Sequence, residues 1–150
     1  MTNSTLVSGQ DVSYGFSDLT VGQQAERTFE VSGATLAAFA EVTGDHNRVH
    51  LDQAYAEQTP FRGRIAHGML TAGYISAVLA NQLPGNGTVY LGQELKFRAP
   101  VRPGDRVTVR VTVRELQADK QRVVLQTQAF VGDKLVVDGT ATVLPPGALK

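Results

Sequence analysis

The spacing of the hydrophobic positions changes along the chain. A short segment, AERTFEVS, predicts a strand, and the following ATLAAFAEV places Leu36, Phe39 and Ala40 at helical spacing. QAYAEQ adds a short helical piece, and apolar residues then fill most of the segment from His67 to Gly85. After that segment, apolar and polar residues alternate, which is typical of half-buried strands. The sequence therefore predicts mainly helices in its first half and a run of strands in its second.

The predicted helix from His67 to Gly85 is the longest, and it ends in a Pro-Gly pair. Its large apolar residues cannot all share one face, and a helix that is apolar nearly all round should be buried. A membrane span is the rival interpretation. We reject it because the segment is too short and carries polar residues along its length.

Four alternating segments follow, separated by the turn-forming sequences RPGD, QADKQ and VGDK. They predict an antiparallel meander in which each strand has one apolar face. The residues predicted to face inward in the first two strands are Val89, Leu91, Leu95, Phe97, Val107, Val109, Val111 and Val113. Those predicted to face water are Thr108, Arg110, Thr112 and Arg114.

A sheet with one apolar face can wrap around an apolar helix, which gives an α+β layer arrangement. Such a sheet has free edges, and proteins cover or pair those edges. We therefore expect a homodimer. The length of 150 residues fits one domain spanning residues 1–150, with residues 1 to about 22 as a loosely held lead-in.

Composition excludes several function classes. Lys and Arg together number 14, and Asp and Glu together also number 14, so the net charge is zero. Non-specific electrostatic binding of nucleic acid is therefore not expected. The absence of cysteine excludes disulfides, thiolate metal sites and cysteine nucleophiles. The polar N-terminus has no basic start followed by an apolar run, so we expect no secretory signal and a cytoplasmic protein with no membrane partner.

The candidate chemistry lies in GDHNRVH, residues 44–50. Gly44 is well placed to end the preceding helix, since glycine adopts the left-handed conformation at low cost. Asp45 would then be the first residue beyond that helix. Three interpretations of the segment are a polar surface loop, a metal site, and an acid/base pair formed by Asp45 and His50. Histidine suits the third, because its unperturbed pKa of about 6.5 lies nearest to neutrality.

A metal site fits the residue types poorly. Asp45 and Asn47 match the start of a calcium loop, but His50 stands where that loop has Gly, and Ala56 where it has Glu. Zinc would need a further ligand, and His67 is the only histidine outside the cluster. The sequence therefore favours a site without metal.

The His67–Gly68 pair opens the long helix and forms a second candidate element. The first backbone N–H groups of a helix have no intrahelical acceptor and lie at the positive end of its dipole. Gly68 has no side chain, so a ligand oxygen can approach its N–H and gain stabilisation of developing negative charge. A glycine required only for packing is an equal alternative. For His67, a capping or core role is favoured over catalysis.

Together these segments resemble the hydratase-2 signature of the MaoC-like, (R)-specific enoyl-CoA hydratases. The pattern Gly-Asp-x-Asn-Pro-hydrophobic-His appears as residues 44–50, and AHGML, LPGNGTVYLGQ and F-x-x-P-V-x-x-G-D extend the resemblance over roughly residues 39–105. The resemblance implies a hot-dog fold, usually dimeric, in which a sheet wraps around a long helix. It also implies reversible syn hydration of trans-2-enoyl-CoA to (3R)-3-hydroxyacyl-CoA, with coenzyme A as part of the substrate and neither a metal nor a separate cofactor.

The same resemblance implies a role for each matching residue. Asp45 and His50 would flank the reacting water, and Asn47 would support the site. Gly68 would donate its N–H to the thioester carbonyl, and Ser76 would support the Asp and His side. By helical spacing alone, Ser76 is an ordinary small helix residue.

The chain departs from the family pattern at Arg48, where a proline is usual and would stiffen the turn. Arg48 can be a solvated side chain or a contact for a CoA phosphate, and the solvated side chain is favoured. Two further functions stay open. A hot-dog acyl-CoA thioesterase would direct water at the carbonyl carbon, and a non-catalytic acyl-CoA-binding protein would bind without turnover. The acyl chain length and the choice between CoA and acyl-carrier-protein thioesters are also open.

Overall fold

The computed structural model describes residues 12–148. After a 3-10 turn at Phe16–Asp18, its elements in chain order are β1 (Gln24–Glu30), α1 (Gly33–Thr43), α2 (Arg48–Leu51), α3 (Gln53–Glu57), α4 (Gly68–Asn81), β2 (Val89–Phe97), β3 (Arg106–Gln117), β4 (Arg122–Val131) and β5 (Lys134–Leu144). Among the helices of this part of the chain, none is long and apolar enough to cross a membrane.

The strands form one five-stranded sheet in the order β1-β3-β4-β5-β2, and every neighbouring pair is antiparallel. The predicted meander is confirmed for β3, β4 and β5. It is wrong for β2, which pairs with β5 instead of β3. The reason is that β1 occupies the edge of β3, with Gln24 opposite Thr112 and Glu30 opposite Arg106. β1 and β2 are consequently the two edge strands.

The core lies between α4 and the apolar face of the sheet, as the α+β prediction required. The four predicted valines of β3 are fully buried, at 0% exposure, and so are Ile75 and Val78 of α4. Thr112 was predicted to face water but is 3% exposed. It is covered because the Gln24 side chain of β1 donates a hydrogen bond to its hydroxyl over 3.1 Å.

Three apolar residues expected to be buried are exposed. Leu91 and Phe97 of β2 are 45% and 54% exposed, and Met69 of α4 is 62% exposed. β2 is an edge strand whose register shifts between Tyr90 and Gly92, and of its residues only Val89, Gln93 and Leu95 are half-buried. One side of α4 is therefore not covered by the sheet of its own chain.

The predicted lead-in is described only from residue 12, and residues 1–11 lie outside the described part. Within the described part, Ser13 forms a β-bridge with Gly85, and the Tyr14 N–H donates to the Pro84 carbonyl over 2.8 Å. Leu19 is buried at 6% exposure. Residues 12–14 thus contact the loop that follows α4.

Candidate active site

The loop that carries Asp45 begins where the sequence placed it. Gly44 caps the C-terminus of α1 with φ 81°, in the left-handed region that favours glycine, and this confirms the predicted helix end. The Asp45 N–H donates to the Thr43 hydroxyl over 3.1 Å, and the Asp45 carboxylate accepts the Asn47 N–H over 3.2 Å. Both bonds are local, so they shape the turn without attaching it to the rest of the fold.

Asn47 has an identifiable structural role in bringing His50 into place. Its side-chain oxygen accepts the Val49 N–H over 3.2 Å, so Asn47 is the N-cap of α2, the single turn of helix that carries His50. The sequence did not predict this turn as helix. Capping interactions of this kind contribute about 1 kcal/mol, which is substantial for a helix of one turn.

The imidazole of His50 is fixed by a backbone carbonyl. His50 is 9% exposed, and its Nδ1 lies 2.8 Å from the carbonyl oxygen of Ile65. A carbonyl oxygen can only accept a hydrogen bond, so Nδ1 must carry the proton. In the neutral ring, Nε2 then keeps its lone pair and is free to accept a proton from a ligand or a water.

His67 lies against both halves of the cluster. Its Nε2 donates to the Asp45 carbonyl over 3.1 Å, and its ring stacks on His50 with centroids 3.9 Å apart at an interplanar angle of 28°. Phe39 packs on the same imidazole with a centroid distance of 4.8 Å. Burial lowers the pKa of His67, and the neighbouring His50 lowers that pKa further. The ring is therefore held in its neutral form.

The structure brings together the residues that the metal interpretation required. A carboxylate oxygen of Asp45 and a ring nitrogen from each of His50 and His67 lie within 4.8 Å of one another. These three atoms could coordinate a divalent cation. One nitrogen of each ring donates to a backbone carbonyl, an arrangement that acid/base, structural and metal-binding histidines all show. The expected absence of a metal stays a prediction.

Gly68 is the first residue of α4, with His67 as the N-cap, so helix geometry leaves the Gly68 N–H without an intrahelical acceptor. The ring of Phe97 lies directly beside this glycine. A Cβ atom added to Gly68 would sit 2.7 Å from Phe97 Cε1, closer than real Cβ contacts allow. An alanine here would require the exposed Phe97 ring to move, and the lack of a side chain leaves the Gly68 N–H accessible to a ligand oxygen.

An open cleft of about 840 Å³ runs between α1, α4 and β2. Its lining is mostly apolar, with Asp45 and Ser76 among the few polar side chains. The lining residues are Phe39, Thr43, Asp45, Met69, Ala72, Gly73, Ser76, Tyr90, Leu91, Gly92, Gln93, Leu95 and Phe97. Ser76 thus shares the cleft with Asp45, while its support of Asp45 and His50 stays a prediction.

The cleft contains a polar group of side chains that sequence reasoning missed. The Tyr90 hydroxyl donates to the Gln93 side-chain oxygen, and the Gln93 amide donates to the buried Thr127 hydroxyl over 3.0 Å. Burial raises the pKa of Tyr90 to about 12, so its hydroxyl stays protonated at neutral pH. The YLGQ motif offered a signal. However, the register shift in β2 decides which of its side chains face the cleft, and spacing alone cannot show that shift.

Arg48 is a solvated side chain, as the sequence favoured. Its guanidinium forms a 3.0 Å ion pair with Asp52 and lies 4.6 Å from the centre of the Tyr55 ring. Asp52 also accepts the Tyr55 N–H and caps α3. This N–H and the Arg48 guanidinium hold the pKa of the Asp52 carboxyl below its usual value. Arg48 thereby links α2 to α3, a restraint that is absent when proline stands in its place.

We expect the family proline to be tolerated at this position. Arg48 is the first residue of α2, where proline needs no N–H, and Asn47 has φ −56° and ψ 129°, the extended conformation that precedes proline. In Arg48→Pro, restriction of the unfolded chain should offset the lost ion pair, leaving the free energy of unfolding within about 1 kcal/mol of wild type in urea denaturation.

Arg48→Ala is the matched control, because it removes the ion pair without restricting the backbone. It should be no more stable than Arg48→Pro. A proline variant less stable than the alanine variant by more than about 1 kcal/mol would show that the turn does not accept proline.

A family model described as a MaoC like domain matches residues 18–134. The chain belongs to the MaoC-like family. This MaoC-like chain is 50% identical over 131 residues to a 3-hydroxybutyryl-CoA dehydratase of Methylorubrum extorquens, covering 87% of this chain and 83% of the relative. It is 47% identical over 131 residues to an (R)-specific enoyl-CoA hydratase of Rhodospirillum rubrum, covering 87% and 91% of the two chains.

Solved structures of similar proteins agree. An unliganded R-hydratase of Pseudomonas aeruginosa superimposes with a TM-score of 0.86 at 47% identity, covering 91% of this chain and 89% of that one. An (R)-hydratase of Aeromonas caviae, involved in PHA biosynthesis, superimposes with a TM-score of 0.83 at 46% identity, covering 85% and 98%. The MaoC-like chain therefore has the hot-dog fold that its sequence predicted.

Proposed function

We propose that this MaoC-like protein is an (R)-specific enoyl-CoA hydratase that catalyses the reversible syn hydration of trans-2-enoyl-CoA to (3R)-3-hydroxyacyl-CoA. One observation carries the proposal: Asp45 and His50 converge beside the start of α4, and Asp45 lines a mostly apolar cleft. Relatives named as a dehydratase and a hydratase, at 50% and 47% identity, support the same reaction.

The helix start polarises the substrate. The thioester carbonyl oxygen accepts the Gly68 N–H, and the positive end of the α4 dipole favours the negative charge that develops on this oxygen. This charge draws electrons from the conjugated double bond and makes C3 electrophilic. A fixed backbone donor suits the task because it needs no reorganisation during the reaction.

Asp45 and His50 then carry out the proton transfers. A water held between the Asp45 carboxylate and His50 Nε2 loses a proton to one of them as its oxygen bonds to C3. The electron pair of the double bond moves toward the thioester, and a proton from the same pair of residues then forms the new C2–H bond. The two groups are close enough to contact the same water, so they share the roles of base and acid.

The apolar part of the cleft suits the acyl chain of the substrate. Met69, Leu91 and Phe97 are large, exposed side chains on its walls, and burying them against an acyl chain or a second protein surface removes apolar area from water. We therefore propose an acyl-CoA thioester as the substrate. The exposed flank of the cleft belongs to β2, the edge strand.

We propose that two copies pair through this edge to form a homodimer. β2 leaves its outer backbone groups unpaired, and Tyr90 and Leu91, 39% and 45% exposed, lie on the same strand. Light scattering at micromolar concentration should give twice the 16.1 kDa chain mass. Leu91→Glu should lower that mass toward the monomer, because it places charge in the proposed interface.

Thr28→Glu provides the matched control for this experiment, because it adds the same charge to β1, the opposite edge strand. It should leave the mass unchanged. A monomeric mass for the wild-type protein would contradict the dimer, and equal dissociation in both variants would contradict pairing through β2.

The reaction itself is tested with trans-2-enoyl-CoAs of graded chain length. A hydratase removes the enoyl absorbance and releases no free thiol, whereas a thioesterase releases CoA and a binding protein gives neither signal.

We propose that neither a metal nor a redox cofactor is needed, so turnover should survive dialysis against EDTA. Activity lost to EDTA and restored by zinc would overturn that part of the proposal. A cytoplasmic location stays a prediction, and cell fractionation would test it.

A further inference from the structure

We propose that His67 is a positioning residue, which holds Asp45 and His50 in one fixed arrangement at the start of α4. Its effect on turnover rests on the proposed hydratase function. Its effect on the geometry of the site does not, and can be measured without substrate.

The first contact that carries the proposal is the hydrogen bond from His67 Nε2 to the Asp45 carbonyl, 3.1 Å long. Asp45 lies in an exposed loop, and its other hydrogen bonds, to Thr43 and Asn47, reach only two residues along the chain. The bond to His67 spans 22 residues. It therefore connects the loop that carries Asp45 to the N-cap of α4, directly before Gly68.

The second contact is the stack on His50. The two rings lie 3.9 Å apart at 28°, so His67 covers one face of the His50 imidazole while the Ile65 carbonyl holds its Nδ1. An edge contact and a face contact together restrict rotation of the ring. One ring nitrogen of His50 thereby lies within 4.8 Å of an Asp45 carboxylate oxygen.

The identity of residue 67 also points to a polar role. His67 is 2% exposed, and within residues 12–148 its Nδ1 has no hydrogen-bond partner. A buried nitrogen without a partner costs free energy, and a phenylalanine would fill the same space without that cost. The imidazole supplies what phenylalanine cannot, an N–H donor to Asp45 on a flat ring that still stacks on His50.

Three variants separate the two contacts. His67→Gln keeps an amide N–H at the position of Nε2 and loses the ring, His67→Phe keeps the ring and loses the donor, and His67→Leu loses both. With crotonyl-CoA we expect kcat to fall about tenfold in the glutamine variant, about 10²-fold in the phenylalanine variant, and further in the leucine variant, because small displacements of reacting groups have effects of this size. KM and the melting temperature should change little.

His46→Gln is the matched control, since His46 is the exposed histidine of the same loop. It should retain wild-type kcat. The proposal is overturned if His67→Phe also retains wild-type kcat. It is equally overturned if kcat falls only in step with the melting temperature across the three variants, which would make His67 a packing residue.

Nitrogen-15 NMR of the His50 ring gives a readout that needs no substrate. We expect one sharp set of ring signals, with the proton on Nδ1, in the wild-type and phenylalanine proteins. In the glutamine and leucine proteins we expect broadened or doubled ring signals, because the His50 ring is then free to change its orientation. One sharp set of ring signals in a folded His67→Leu variant would contradict the stacking role. If the NMR result is as expected while the wild-type protein hydrates no enoyl-CoA, the hydratase proposal fails and the positioning role of His67 stands.

Discussion

Asp45→Asn and His50→Asn are each expected to lower kcat for crotonyl-CoA hydration by about 10²–10⁴, the usual loss when an acid or base is removed. Both substitutions preserve the local structure. An asparagine at position 45 can still accept the Asn47 N–H, which now bonds the carboxylate over 3.2 Å. An asparagine at position 50 places an amide N–H where Nδ1 donates to Ile65, while the reactive Nε2 and the ring that stacks on His67 are lost. His50→Ala should lose as much activity and some stability as well, because it leaves the Ile65 carbonyl unpaired.

Asp52→Asn is the matched control for both variants. Asp52 is also an aspartate near the candidate site, but its carboxylate is committed to the Tyr55 N–H and to Arg48. Its replacement should change stability and leave kcat near the wild-type value. Near-wild-type turnover in Asp45→Asn or His50→Asn would remove that residue from the chemistry. An equal loss in Asp52→Asn would indicate that the fold, and not the acid/base pair, had been damaged.

Gly68→Ala is expected to lower kcat/KM by about 10²–10³, the size of effect seen when an oxyanion donor is lost. The added methyl group would lie 2.7 Å from Phe97 Cε1, so the ring must move. The methyl group would also occupy the space through which the thioester oxygen reaches the N–H. Steady-state kinetics with crotonyl-CoA measures the loss.

Two further variants separate packing from catalysis at Gly68. The double variant Gly68→Ala/Phe97→Ala removes the clash, so it should recover stability while kcat/KM stays low. Recovery of wild-type kcat/KM would make Gly68 a packing glycine. Gly73→Ala controls for the effect of alanine on helix stability, because an added Cβ there meets nothing within 4 Å.

Local signals in the sequence were sufficient to predict the loop of the candidate site. Gly44 ends α1 because glycine accepts a positive φ, and that end places Asp45 at the first position of the loop. The role of His67 could not be predicted in the same way. Its ring reaches the Asp45 carbonyl 22 residues away, and the contact depends on how the start of α4 packs against α1 and α2. Residue spacing along one chain contains no such information.

The same distinction applies to the sheet. β3 is an interior strand, and its alternating valines are buried as predicted because both neighbours fix its faces. β2 has a neighbour on one side only and a register shift after Tyr90, so the alternation did not predict the exposure of Leu91 and Phe97. Both residues line the cleft. The sequence pattern was therefore least informative where the substrate is proposed to bind.

The most direct test of the proposed reaction is hydration of crotonyl-CoA in heavy water, followed by analysis of the product. Asp45 and His50 lie within 4.8 Å of one another, so water addition and proton delivery should occur on the same face of the double bond. The expected product is (3R)-3-hydroxybutyryl-CoA with one deuterium at C2, on the face that carries the new hydroxyl, and no free CoA. A (3S) product, addition from opposite faces, or release of free CoA without hydration would contradict the mechanism.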